Sequence, residues 1–267
     1  MRGVVLSKAV YIGLRNPKNV CEQHIRWYSS STIAKVFLVR HGQTHANRDR
    51  LIDGQTDSVL TDLGRQQAVA AGIALKDVHF GLAVSSDLPR ATATAELLLG
   101  QNTANDWGRL ETCNLLRERH FGTLDRVPTV EYMAHPEFDG WGGEFTPKGA
   151  ETREEVRGRA SHFFLTLVGR ISKRRAGVGE HLNCLIVSHG VVIMELIRYL
   201  AREFNCSFPN RATEVLYENK VAPNASITTL YIGVGTSKRG QSALSAVQDV
   251  ECLNLYCDQH LRCFGTN

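Results

Sequence analysis

The stretch IAKVFLVRHGQTHAN, residues 33–47, passes directly from an apolar run into a polar turn. Ile33 to Val39 is short and rich in branched and aromatic side chains, as a strand covered on both faces requires. Arg40-His41-Gly42-Gln43-Thr44 then supplies a cation, an imidazole, a permissive backbone position and two hydrogen-bonding side chains. Two further runs share this form. Phe80 to Val84 stops at Ser85-Ser86-Asp87, and Leu182 to Val187 stops at Ser188-His189-Gly190.

A helical pattern follows each run. The spacing predicts helices over residues 61–76, 88–99 and 191–204. The second accommodates Pro89 in its first turn, with Asp87 or Ser86 as its cap. A longer helix over 151–175 carries a capping box, Thr152-x-x-Glu155. Its apolar residues Val156, Ala160, Phe163, Leu167 and Ile171 recur at helical spacing. Strands alternating with helices predict an α/β fold, a three-layer α/β/α sandwich with a mostly parallel central sheet. Ligands of such sheets bind beyond the carboxyl ends of the strands. The three polar turns lie there, so His41, Ser86, Arg90 and His189 are expected to converge on one crevice.

Composition limits what the crevice serves. The chain has 267 residues, 43% of them hydrophobic, enough for a sizeable core. Its net charge of +4 is local. Residues 1–35 hold six basic side chains and one acidic, leaving 25 basic against 26 acidic in the remainder. A body so balanced is not an electrostatic nucleic-acid binder. No uncharged apolar stretch approaches the roughly 18–20 residues of a membrane span. The seven cysteines form no C-x-x-C pair, and no H-E-x-x-H or similar cluster accompanies the histidines. Neither a metal nor another cofactor is therefore expected.

Two arginines and two histidines around one point make a pocket for a dianion, and Arg90 offers a planar guanidinium suited to bidentate phosphate binding. A neutral imidazole attacks phosphorus when its other nitrogen is held by an acceptor. Fixed cations stabilise the charge that spreads over the equatorial oxygens. The leaving alcohol needs a proton from a nearby carboxyl group.

Four blocks, in order, carry a resemblance. LVRHGQTHAN (38–47), SSDLPRATATAE (85–96), LRERHFG (116–122) and VSHG (187–190) are similar to the signatures of the histidine phosphatase superfamily, the phosphoglycerate mutase-like proteins. With their spacers they cover residues 36 to about 205. Beyond them, CSFP (206–209) and CLNLYCDQHL (252–261) resemble the fructose-2,6-bisphosphatase-like branch.

The resemblance implies one phosphatase domain over 33–267. It implies that His41 becomes phosphohistidine and that His189, Arg40 and Arg90 hold the phosphoryl oxygens. Glu118 takes the place of the general acid and, afterwards, the general base. Asn47, Gly54, Gln55, Arg119 and Gly190 fall at or beside substrate contacts, although Gly54-Gln55 equally reads as a turn and Arg119 as facing either a second anion or solvent. Trp141, in the Gly-rich segment FDGWGGEF (138–145), reads either as a wall of the pocket mouth or as a loop anchor. The partner implied is a small phosphorylated metabolite such as fructose 2,6-bisphosphate. A phosphoglycerate mutase, a mitochondrial protein phosphatase and a non-catalytic scaffold that binds phosphometabolites are the alternatives.

Residues 1–32 read as an extension. They are basic, nearly free of acids and end in Ser29-Ser30-Ser31-Thr32. That is the composition of a mitochondrial transit peptide, with an unstructured extension on a cytoplasmic enzyme as the alternative.

Overall fold

Alternate side chains of the first strand leave for opposite faces of one sheet, which is what makes the molecule three layers deep. In the computed structural model, residues 31–104, 108–173, 181–204, 206–209, 221–235 and 242–264 are described. The sheet is built from β1 (Ser31–Arg40), β2 (Phe80–Ser85), β3 (Glu111–Thr112), β4 (His181–Ser188), β5 (Ile227–Gly235) and β6 (Val247–Cys257). The helices are α1 (His45–Arg48), α2 (Asp62–Ala74), α3 (Pro89–Leu99), α4 (Thr129–Met133), α5 (Arg153–Lys173) and α6 (Gly190–Glu203).

Ala34, Val36 and Leu38 of β1 pack with Val156, Phe163 and Leu167 of α5 and Ile193 and Leu200 of α6. Phe37 and Val39 of the same strand join Ala71 of α2 and Ala91, Ala95 and Leu98 of α3 on the other face. The strand order is β3-β2-β4-β1-β5-β6. β2 pairs in parallel with β3 and β4, and β4 with β1, whereas β5 runs antiparallel to both β1 and β6. The expected α/β sandwich is present, and its sheet is mixed, with β5 alone opposing the other strands.

The predicted helices start close to where their caps place them. Thr61 caps α2 by accepting from Gly64 N–H. In the capping box of α5, Glu155 Oε2 accepts from Thr152 N–H at 2.7 Å and Thr152 Oγ1 from Glu155 N–H at 3.1 Å. The end of that helix was expected at 175, outside the described residues; the described part ends at Lys173. The cap of α3 differs from expectation. It is Leu88, with no side-chain bond. Asp87 is instead occupied by a two-pronged ion pair with Arg117 at 2.7–2.8 Å, and Ser86 Oγ accepts from Leu88 N–H. Pro89 at the first helical position has no N–H to satisfy, so the missing cap costs little. Residues 1–30, the bulk of the extension, lie outside the described residues.

Register now fixes the crevice. In the parallel pair of β1 and β4, Arg40 stands opposite Ser188. Each strand's next residue is a histidine. Neighbouring strands lie about 4.8 Å apart, so the pairing alone sets His41 beside His189.

Candidate active site

The two imidazoles meet with ring centroids 5.1 Å apart and planes inclined by 54°. Both residues are buried. His41 Nδ1 lies 2.8 Å from the Gly42 carbonyl oxygen. A carbonyl only accepts, so Nδ1 carries the proton and Nε2 keeps its lone pair. Burial first, then the neighbouring Arg90 and Arg40, hold the His41 pKa well below the ordinary 6.5, so the ring is neutral at neutral pH.

The backbone of this turn is clamped from several sides. His41 N–H donates to Ser188 O, and His41 O accepts from Ala225 N–H and from Asn224 Nδ2. Gly42 N–H donates to Thr94 Oγ1 on α3. A side chain at Gly42 is excluded, because a Cβ there would meet Gly64 O of α2 at 2.3 Å.

His189 is the N-terminal cap residue of α6, and neither of its ring nitrogens has a protein partner. Burial, then Arg90, His41 and Arg40, also lower its pKa well below 6.5. Each buried polar atom left unpaired costs about 1–3 kcal/mol. Such atoms gather here: Nε of Arg40 and Nε of Arg90 are likewise buried and unpaired. Donors and a neutral ring so placed await an oxyanion, at the positive end of a helix.

Arg90 is fully buried. Its terminal nitrogens donate to Thr56 O at 3.0 Å and Gly54 O at 2.5 Å and lie 3.8 Å from Asp53. The Arg40 guanidinium is tied to Ala222 O at 2.5 Å. At Gly190 a Cβ would meet Val221 Cγ1 at 2.3 Å, while the Arg40 guanidinium carbon would lie at ordinary contact distance, 3.5 Å.

Glu118 joins the group from a loop. Its Oε1 accepts from Arg119 N–H at 2.7 Å and its Oε2 from Val191 N–H, in the first turn of α6, at 3.2 Å. Its carbonyl accepts from Gln55 Nε2 and Arg159 Nη2, which brace the loop from behind. His41, His189, Arg40, Arg90 and Glu118 thus lie close together beyond the carboxyl ends of β1 and β4.

The remaining expected contacts divide. Gln55 and Gly54 sit in the crevice wall, Gly54 through its carbonyl and its N–H, which donates to Asp125. Asn47 Oδ1 closes the capping box of α1 and accepts from Asn224, so its carbonyl end holds the turn in place. Arg119 does not face solvent. It is buried, donating to Glu151 O, Phe145 O and Thr146 Oγ1, because the loop needs its carbonyls satisfied away from water. Trp141 stacks on Tyr132 at 5.5 Å and 8°, as a loop anchor. His162, on α5, is exposed.

Sequence reasoning did not single out Asp53, Thr94, Asn224 or Arg159. Asp53 faces Arg90 and accepts from Thr44 and Ser58 hydroxyls. Pro223-Asn224 is a turn-forming pair, which does not by itself show that the loop returns to residue 41. Among the described residues, no three His, Cys, Asp or Glu side chains group as a metal site would require, and no helix is long and apolar enough to cross a membrane.

This geometry has relatives. Residues 36–232 match the profile described as histidine phosphatase superfamily (branch 1). The chain belongs to the histidine phosphatase superfamily. Within that superfamily it is 35% identical over 197 residues to fructose-2,6-bisphosphatase TIGAR B of Danio rerio, covering 64% of this chain and 76% of that one. It is 31% identical over 259 residues to fructose-2,6-bisphosphatase TIGAR of Bos taurus, covering 82% and 93%. Among solved structures, a mycobacterial glucosyl-3-phosphoglycerate phosphatase superposes with a TM-score of 0.67 at 25% identity, covering 85% of this chain and all of that one.

The two depressed histidines make the stability of this histidine phosphatase depend on pH. The unfolded chain takes up protons near pH 6.5, and the folded rings do so only further down. Below 6.5 the unfolded state therefore binds more protons, and stability falls with pH by up to about 1.4 kcal/mol per histidine per pH unit. Above 6.5 both contribute in full. The melting temperature is expected to drop from pH 6.5 downward, and His189→Gln to flatten that slope; equal slopes in the two proteins would contradict it.

Proposed function

We propose that the enzyme hydrolyses a phosphate monoester of a small sugar phosphate, a sugar bisphosphate of the fructose 2,6-bisphosphate type, through phosphohistidine at His41. One observation carries this: a neutral, oriented imidazole 5.1 Å from a second one, between two guanidiniums and a carboxylate. The names of the relatives supply the substrate class.

His41 Nε2 attacks phosphorus in line, and the bond from phosphorus to the sugar oxygen breaks. Glu118 delivers a proton to that oxygen. Arg40, Arg90, His189 and the start of α6 hold the equatorial oxygens as their charge grows. Water, giving its proton to Glu118, then attacks the phosphohistidine and releases phosphate, which restores the neutral ring.

A panel of phosphorylated metabolites and a phosphopeptide, assayed in chelator, tests the reading. Phosphate release with the highest kcat/KM on sugar phosphates is expected. Preference for the phosphopeptide would refute the substrate class, and transfer to a second hydroxyl without release would mark a mutase.

The composition of residues 1–32, basic and almost free of acids, supports a mitochondrial address for the same enzyme. A reporter fused to them is expected to enter mitochondria; a diffuse cytosolic signal would refute the assignment.

A further inference from the structure

Arg90 takes its counter-charge from a carboxylate that belongs to it only in part. The Asp53 side chain is 5% exposed, and its two oxygens differ in their surroundings. Oδ2 accepts from the hydroxyls of Thr44 at 3.0 Å and Ser58 at 2.9 Å. Oδ1 is buried and accepts no hydrogen bond. It lies 3.8 Å from Nη1 of Arg90 and 3.7 Å from Nη1 of Arg126, beyond hydrogen-bond reach of both. Nearby Asp125 has no such freedom, since its Oδ1 accepts from Gly54 N–H and its Oδ2 from Thr56 Oγ1. Burial lowers the Arg90 pKa, and Asp53 comes first among the carboxylates that raise it, ahead of Glu118, Asp125 and Asp57. One uncommitted oxygen therefore stands between a cation of the crevice and a cation at the surface.

Arg126 holds its place against a backbone preference. Its φ of 67° is left-handed, a conformation glycine adopts freely and a long side chain does not. Pairing with the segment that carries Asp53 imposes it. Arg126 N–H donates to Ile52 O and Ile52 N–H to Val127 O, both at 2.9 Å. The same pairing returns the side chain, 43% exposed, to the carboxylate of the residue after Ile52. A strained backbone held by its surroundings points to a role for the side chain it carries.

We infer that Asp53 and Arg126 are positioning residues that set how much positive charge Arg90 offers the phosphoryl group: Arg126 draws the Asp53 carboxylate toward the surface and leaves Arg90 under-neutralised. The pair with Arg90 is out of water and the pair with Arg126 is half in it. A small move of the carboxylate therefore changes the field in the crevice more than the field at the surface. With Arg126 present the carboxylate is shared. Without Arg126 it closes on Arg90 and competes with the phosphate. Without Asp53, Arg90 meets the phosphate with less of its charge offset. The inference rests on the proposed phosphatase reading and deepens it, naming what tunes the affinity of the crevice for a dianion.

Calorimetric titration of the full chain with inorganic phosphate tests this at about 0.15 M salt, where the direct pull of an exposed cation is screened. Asp53→Asn keeps the size of the side chain and an oxygen for the Thr44 and Ser58 hydroxyls. It is expected to bind phosphate about threefold to tenfold more tightly. Arg126→Gly, which frees the backbone, is expected to bind it about threefold more weakly. Added to Asp53→Asn, Arg126→Gly is expected to have no further effect, because it acts only through Asp53. An Asp53 that merely braced the turn at Thr44 would give the opposite sign, weaker binding in Asp53→Asn. Equal or weaker binding in that variant would overturn the inference, and so would effects of the two substitutions that simply add. If Asp53→Asn fails to fold, Arg126→Gly decides alone, and unchanged or tighter binding overturns it. Each of these results leaves the phosphatase reading standing. No binding of phosphate by the wild-type chain would overturn both.

Discussion

Replacing His41 with alanine is expected to lower kcat on phosphate monoesters by at least about four orders of magnitude. Nothing else in the crevice can take its place as nucleophile with the same geometry. The ring of His189 is near, but it lacks the acceptor that fixes the tautomer of His41, whose Nδ1 is held by Gly42 O at 2.8 Å. The loss should lie in the chemical step. Arg40, Arg90 and His189 remain, so inorganic phosphate should still bind in a calorimetric titration. Loss of both binding and fold would make the result uninformative about chemistry, and phosphate binding guards against that. Full activity in His41→Ala would end the proposal.

Glu118→Gln should separate the two halves of the reaction. The carboxyl group is asked to protonate a sugar alkoxide, worth roughly 10²–10⁴ in rate. With fructose 2,6-bisphosphate, kcat is expected to fall by that factor. With p-nitrophenyl phosphate the leaving group departs without a proton, so phosphoryl transfer to the enzyme should be little changed. Water attack then lacks its base, and the phosphoenzyme accumulates as a burst of p-nitrophenol followed by a slow steady state. The glutamine keeps the shape of the side chain and one acceptor oxygen for the N–H groups of Arg119 and Val191 that hold the native carboxylate. Equal losses on both substrates, with no burst, would show that Glu118 only braces its loop.

How much of this could be read beforehand depends on how local each signal is. β1, β2 and β4 are apolar runs ended by polar turns, and α2, α3, α5 and α6 show a helical period, so the sandwich was legible. β5 and β6 were not. β5 buries Thr228 and Thr229 among its apolar residues, and β6, at the sheet edge, is half-buried along most of its length and mixes polar with apolar residues, so neither yields a clean pattern. β3, two residues long, has no pattern to show.

The site divides along the same line. His41 and His189 follow strand ends, and parallel register joins them. Glu118 was found through its block, since a loop carboxylate has no periodicity to mark it. Asn224 meets His41 across 183 residues, and Arg159 meets Glu118 across 41, on contacts that only the fold creates. Arg119 turns inward rather than to solvent for a related reason: its position beside Glu118 says where its backbone lies, while the carbonyls of residues 145 and 151, which accept from it, decide where its guanidinium goes.

Rapid quenching during turnover of phosphate-labelled substrate, followed by mapping of the labelled peptide, tests the central claim most directly. The account predicts an acid-labile, alkali-stable phosphate on residue 41, more abundant in Glu118→Gln. Label on another residue, or turnover with no labelled enzyme under the same conditions, would contradict it.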